Sequence, residues 1–137
     1  MNAEEKDFEV IENSENKNEK IFDIRERAFA FAVRIVKLCK YLEKNSDVSK
    51  SLLNQLLDAG TSVGANLEES VAGQSKADFV HKNSISLKEA RESNFWLRLI
   101  SASSNFDTKI AKGIEDLAKE SLEIANIIAP IIIKTKK

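Results

Sequence analysis

A run of small residues, Ala59-Gly60-Thr61-Ser62-Val63-Gly64-Ala65, sits inside a stretch that otherwise has helical periodicity. Glycine inside a helix costs roughly 1 kcal/mol relative to alanine. A soluble helix that keeps Gly60 and Gly64, four residues apart, needs a bare surface for close approach of another backbone. The two glycines share a stripe with Leu53, Leu56, Leu57, Leu67 and Val71. The stripe therefore predicts a tightly packed helix–helix contact.

The rest of the chain fits that frame. A single Pro and four Gly in 137 residues leave few natural breaks, so long helices in one domain are expected. Helix A is expected from about Asp23 to Lys44, with Ala28, Phe31, Ala32, Ile35, Leu38, Cys39 and Leu42 on one face. Phe29, Val33 and Val36 add a second apolar strip, wider than one bundle core requires. That strip points to a second partner such as another subunit. Asn45-Ser46-Asp47 reads as a turn and N-cap, and helix B follows from about Val48 to Val71.

Helix C opens on Ser75 and Asp78, which have capping-box spacing, and runs to about Ala102. Its Val80, Leu87, Ala90 and Leu97 share a face with Asn83 and Asn94, so buried polar groups needing partners are expected. Ile85, Trp96 and Leu99 line another face. Helix D starts near Thr108, with a seam at Ile110, Ile114, Leu117, Ser121, Ile124, Ile128 and Ile131. Pro130 is expected to kink or end it near Ala129. Short connections make neighbours antiparallel, which gives an all-α, up-down-up-down four-helix bundle over residues 23–137.

Charge divides the chain. Residues 1–22 carry seven acids against three lysines, net −4, while the remainder holds 18 basic and 15 acidic residues, net +3. The acidic segment has too few apolar residues to offset ordering entropy, so a disordered arm is expected. Neither a signal peptide nor a membrane-length apolar run is present, and a cytoplasmic protein is the expectation.

Catalytic, cofactor and metal sites are not expected. A di-metal bundle needs Glu-x-x-His pairs on two helices, but His81 is the sole histidine and has Asp78 three positions before it. Cys39 lies on the core face of helix A and reads as a buried, inert thiol. The glycine run has the wrong spacing and context for a phosphate loop, and no lysine follows it. The carboxylate pairs Glu68-Glu69 and Glu89/Glu92 read as ordinary helix-surface pairs.

Two basic stripes remain. Arg27, Arg34, Lys37, Tyr41 and Lys44 share a face of helix A; Lys88, Arg91, Phe95 and Arg98 share a face of helix C, with His81 two turns earlier. Basic rows with an interposed aromatic suit a nucleic-acid backbone and an unstacked base. Equally, Arg34 or Arg91 could be an interfacial arginine bound to Glu68 or Glu89 of another helix. The candidate nucleic-acid or interface residues are Arg34, Lys37, Tyr41, Lys82, Lys88, Arg91 and Arg98.

Several blocks of this chain, in order and spacing, resemble the bacterial four-helix-bundle family encoded in intervening sequences of 23S ribosomal RNA genes. They are Phe31-Ala32-Val33-Arg34, the run from Ala59 to Glu69, Ser75-Lys76-Ala77-Asp78-Phe79-Val80-His81-Lys82, Leu87-Lys88-Glu89-Ala90-Arg91-Glu92 and Trp96-Leu97. The resemblance covers about residues 24–135. It implies a non-enzymatic homopentameric ring of bundles. It also implies kinship with the accessory protein of diversity-generating retroelements, a positive pentamer that binds nucleic acid and a reverse transcriptase. The partners implied are other copies of the chain, RNA and a nucleic-acid-processing protein. Arg34, Lys82, Lys88 and Arg91 match basic family positions. Asp58, Ala77 and the acidic segment depart from the pattern, each lowering positive charge.

Overall fold

The computed structural model describes residues 23–137. The expectation of a disordered arm at residues 1–22 lies outside them. Four helices follow in order: α1 (Ile24–Asn45), α2 (Lys50–Val71), α3 (Lys76–Ser103) and α4 (Thr108–Lys136). Each consecutive pair is in contact, and α1 closes on α4. The connections 46–49, 72–75 and 104–107 are too short for anything but antiparallel neighbours. The result is the up-down-up-down bundle expected from the periodicity, with α1 and α3 on a diagonal.

Each helix starts on a side chain that satisfies one of its unpaired backbone donors. Asp23 accepts from the Arg25 amide at 2.9 Å, Ser49 from Leu52 at 3.2 Å, Ser75 from Asp78 at 3.0 Å and Asp107 from Ile110 at 2.9 Å. Such a cap contributes about 1 kcal/mol. The cap of α2 is therefore Ser49, two residues beyond the expected Asp47. Ser46 holds the intervening turn by donating to the Leu42 carbonyl at 2.6 Å and accepting from the Val48 amide at 3.2 Å.

The core is made from all four helices. Phe31, Ile35, Leu38 and Leu42 of α1 meet Leu56 and Leu67 of α2, Leu97 and Ile100 of α3, and Ile114 and Leu117 of α4. The α4 seam is buried as expected through Ile128 and then moves to Ile132, leaving Ile131 half-buried. A straight helix of 3.6 residues per turn drifts off a 3.5-residue repeat, which accounts for the shift. Val71, at the end of the α2 stripe, is exposed rather than packed.

Pro130 does not end α4, which runs on to Lys136. It sits on the exposed side, as does Asn126, whose carbonyl loses its usual helical donor to the proline. Buried Ile128 and Ile132 on either side keep the helix docked. Packing here outweighs the lost backbone bond.

The glycines explain how α1 and α2 approach. A Cβ built on Gly60 would lie 2.8 Å from Ile35 Cγ2 and 2.9 Å from Cγ1. Ile35 is β-branched and has one strongly preferred χ1 in a helix, so it cannot swing clear. A Cβ on Gly64 would lie 3.5 Å from Ala28, an ordinary contact. The two positions thus differ: Gly60 is required by close approach, whereas Gly64 has room for one methyl group.

This difference sets opposite outcomes for the same substitution. Gly64→Ala should raise stability by up to about 1 kcal/mol through helix propensity. Gly60→Ala should lower it, because overpacking costs about 1–3 kcal/mol and outweighs the same propensity gain. Urea unfolding of the two variants checks this; equal midpoints would contradict it.

Candidate functional site

The basic stripe expected on α1 is largely a structural seam. Arg27, Arg34 and Tyr41 recur every seven residues and so share one face. Arg27 anchors that face to α4: its guanidinium donates to both carboxylate oxygens of Glu120 at 2.7 Å, and to Glu123 at 2.6 Å. Glu120 is buried, and the hydrogen bonds to it hold the Arg27 pKa above its ordinary value. Arg34 is 3% exposed and Tyr41 is buried as well. Lys37 is half-buried and engaged. In the isolated bundle Arg34 and Tyr41 are therefore not available to a phosphate backbone. The seven-residue spacing puts them in one row, and the packing of α1 against its neighbours turns that row inward.

The α3 row has the opposite fate. Lys88, Arg91, Phe95 and Arg98 are all exposed, and His81 stands on the same outer side two turns earlier. Lys88 is within 3.8 Å of Glu89, a loose pair on an exposed lysine. Lys82 lies apart from this row, bonded to Glu69 of α2 at 2.7 Å. The Asp78 carboxylate accepts from the Gln74 amide at 3.3 Å. Since α1 and α3 are diagonal, the two stripes do not form one surface.

The inner side of α3 carries the polar groups expected there. Ser86 donates to the Val63 carbonyl of α2 at 2.7 Å, and Asn94 donates to the Ala118 carbonyl of α4 at 2.9 Å. Asn83 and Ser93 bond back to their own helix, to Phe79 and Glu89. Each buried group thus has a partner, which removes the penalty of about 1–3 kcal/mol for an unsatisfied one.

The Asn94 amide does a second job. Its Oδ1 accepts from Arg98 Nε at 2.8 Å. Arg98 also lies over the Phe95 ring, 6.0 Å from its centroid. The Phe95 ring meets Trp96 edge-on at 5.1 Å, and Trp96 Nε1 donates to Glu92 at 3.3 Å. The exposed end of the row is therefore ordered by buried Asn94 and half-buried Trp96. The Arg27–Glu120 pair and this Asn94–Arg98 relay were not visible in the sequence reading. The first spans 93 positions, while the second left a faint signal in a core-facing Asn four residues before an Arg.

The Cys39 thiol is buried, donates to the Leu53 carbonyl at 3.7 Å, and is pushed up to about 12 by burial. Among the described residues, no group of three or more His, Cys, Asp or Glu could hold a metal ion. None of the described helices is long and apolar enough to cross a membrane.

Four capped helices packed consecutively, with a polar inner face on α3 and a basic outer row, define an all-α antiparallel four-helix bundle. The family model described as 23S rRNA-intervening sequence protein matches residues 20–128, and the chain belongs to that family. A solved structure from Bacteroides thetaiotaomicron VPI-5482, described as a protein of unknown function from the S23 ribosomal protein family, is 35% identical. The match covers 80% of this chain and 98% of that one, with a TM-score of 0.73. No curated protein matches.

Glu89 offers a pH test of the α2–α3 side. Burial raises its pKa, the charge of Glu92 adds to the rise, and Lys88 offsets part of it. A carboxyl whose pKa rises on folding is destabilising when ionised. That cost is absent below its unfolded pKa, grows as pH rises from there through the folded value, and is constant above it. Glu89→Gln should therefore unfold at a higher temperature than the wild type at neutral pH, with the gain vanishing in acid. A pH-independent difference in melting temperature would contradict this reading.

Proposed function

We propose that the chain is a non-enzymatic, cytoplasmic homo-oligomeric scaffold, pentameric as its family resemblance implies, that holds RNA on the outer face of α3. One observation carries the RNA reading: Lys88, Arg91, Phe95 and Arg98 form one exposed row. Cations that neutralise phosphates and release counterions supply sequence-independent affinity, and an exposed ring supplies a stacking surface.

Assembly is supported by apolar side chains left on the outside. Phe29 is 68% exposed on α1, and Ile133 is 61% exposed on α4. Leu122 of α4 is exposed as well, while Val33 and Val36 beside Phe29 are half-buried. Self-association would cover these apolar side chains, which burial removes from water at a gain. A ring of copies repeats a weak α3 site, so one RNA can be held by several at once. The alternative of direct binding through stripes on both α1 and α3 keeps only its α3 half, because Arg34 and Tyr41 are buried. A nucleic-acid-processing protein would then be recruited through the bound RNA.

Native mass spectrometry of the full chain with and without cellular RNA tests both parts. An oligomer that gains RNA mass is expected, and a monomer at micromolar concentration would overturn the scaffold. For RNA, Lys88→Ala combined with Arg91→Ala should lower the slope of log K against log salt by about 1–2. An unchanged slope, or no binding by the wild type at low salt, would overturn the α3 assignment.

A further inference from the structure

Between the last turns of α3 and the first turns of α4 lies a groove of about 490 Å³. Sites for small organic groups have volumes of about 300–1,000 Å³. Leu97 and Ile114, both fully buried, lie beneath its floor. Ala102, Ala111 and Ala118 leave space above that floor, and Arg98 stands at the rim. The groove thus joins an apolar slot to the end of the basic row.

Arg98 is not an ordinary surface arginine. Asn94, 6% exposed, uses its Nδ2 on the Ala118 carbonyl of α4 and its Oδ1 on Arg98 Nε. That bond leaves Nη1 and Nη2 as a planar fork for another acceptor. A fork of this kind matches the geometry of a phosphate. Phe95 next to it is 48% exposed, yet its ring is set by Trp96. Ordering an exposed arginine and an exposed aromatic in advance reduces what a ligand must spend on ordering them.

The charges around the groove give the ligand a direction. Lys112 at its edge is already paired with Asp116 at 3.2 Å, so Arg98 is the cation left to meet an anion. Glu115 also lines the groove; it disfavours a phosphate inside and can accept from the amino group of a base. Lys88 and Arg91 continue the row along α3, giving contacts beyond a single nucleotide.

We infer that the α3–α4 groove at Arg98 is a subsite for one step of single-stranded RNA. An unstacked base enters the groove, its phosphate lies on the Arg98 fork, and the next base stacks on Phe95. Duplex RNA keeps its bases stacked and cannot fill the slot. This inference rests on the RNA reading of the α3 row and deepens it.

The test is a fluorescence-anisotropy titration of the full chain with a short single-stranded RNA, the same sequence as a duplex, and adenosine monophosphate. Arg98→Lys keeps the charge and loses the fork; Phe95→Leu keeps the apolar contact and loses the ring. Ala102→Leu fills the groove from an exposed wall, and circular dichroism confirms that each variant is folded. Each should weaken single-strand binding about tenfold, the scale of one lost stacking or charge-assisted contact. For Phe95→Leu and Ala102→Leu the salt slope should stay unchanged. If the wild type binds single-stranded RNA but the three variants bind it equally well, the subsite is wrong and the RNA reading stands. The same holds if the duplex or adenosine monophosphate binds as tightly as the single strand. If the wild type binds no RNA even at low salt, both fall.

Discussion

The contact of Gly60 with Ile35 sets how near α1 and α2 lie, and the rest of the bundle is built outward from that spacing. With no Cβ at position 60, the Ile35 side chain rests directly on the α2 backbone. Ala28 over Gly64 and the Cys39–Leu53 contact extend the same close approach toward both ends of the pair. Two helices so close leave a narrow core that Phe31, Leu38 and Leu56 can fill. The Arg27–Glu120 pair then fastens the opposite side of α1 to α4. Apolar contact on one side of α1 and a hydrogen-bonded ion pair on the other fix its rotation about its own axis.

Rotation matters most for α3, whose inner face is polar. Ser86 holds α2 and Asn94 holds α4, each through a backbone carbonyl that is present in any sequence. Directional bonds of this kind specify one orientation, whereas apolar packing alone tolerates several. The orientation turns Lys88, Arg91 and Phe95 outward, and Asn94 carries it directly to Arg98. The polar interior and the basic exterior of α3 are therefore one arrangement.

Four helices and their order were legible because the apolar spacing is regular and the connections contain capping residues. The Ser75–Asp78 cap and the polar inner face of α3 followed from local spacing as well. Of the two outcomes expected at Pro130, the helix does not end there, because the cost of a proline depends on which side of the helix it faces, and that side is set by the whole bundle. For Arg34 and Tyr41 the spacing left two uses open, nucleic-acid contact or packing against another helix, for a related reason. Seven-residue spacing states that residues share a face, and only tertiary packing states whether that face looks in or out. Ser49 displaced Asp47 as the α2 cap because Ser46 ties the turn back to Leu42. Of the candidate site, the α3 row was readable from composition and spacing, but the groove beside it required α4 to be in place.

The bundle depends on α1 and α2 touching through Gly60 and Ile35 and not merely through average core burial. A double-mutant cycle on that pair, read by urea unfolding, tests this most directly. Ile35→Ala alone should cost about 2–5 kcal/mol by opening a cavity. Adding Gly60→Ala to it should then restore stability, since the new methyl group enters the vacated space and gains helix propensity. Gly60→Ala lowering stability in the wild type and raising it beside Ala at position 35 is the predicted result. Additive effects of the two substitutions would contradict the close approach on which the fold is argued to rest.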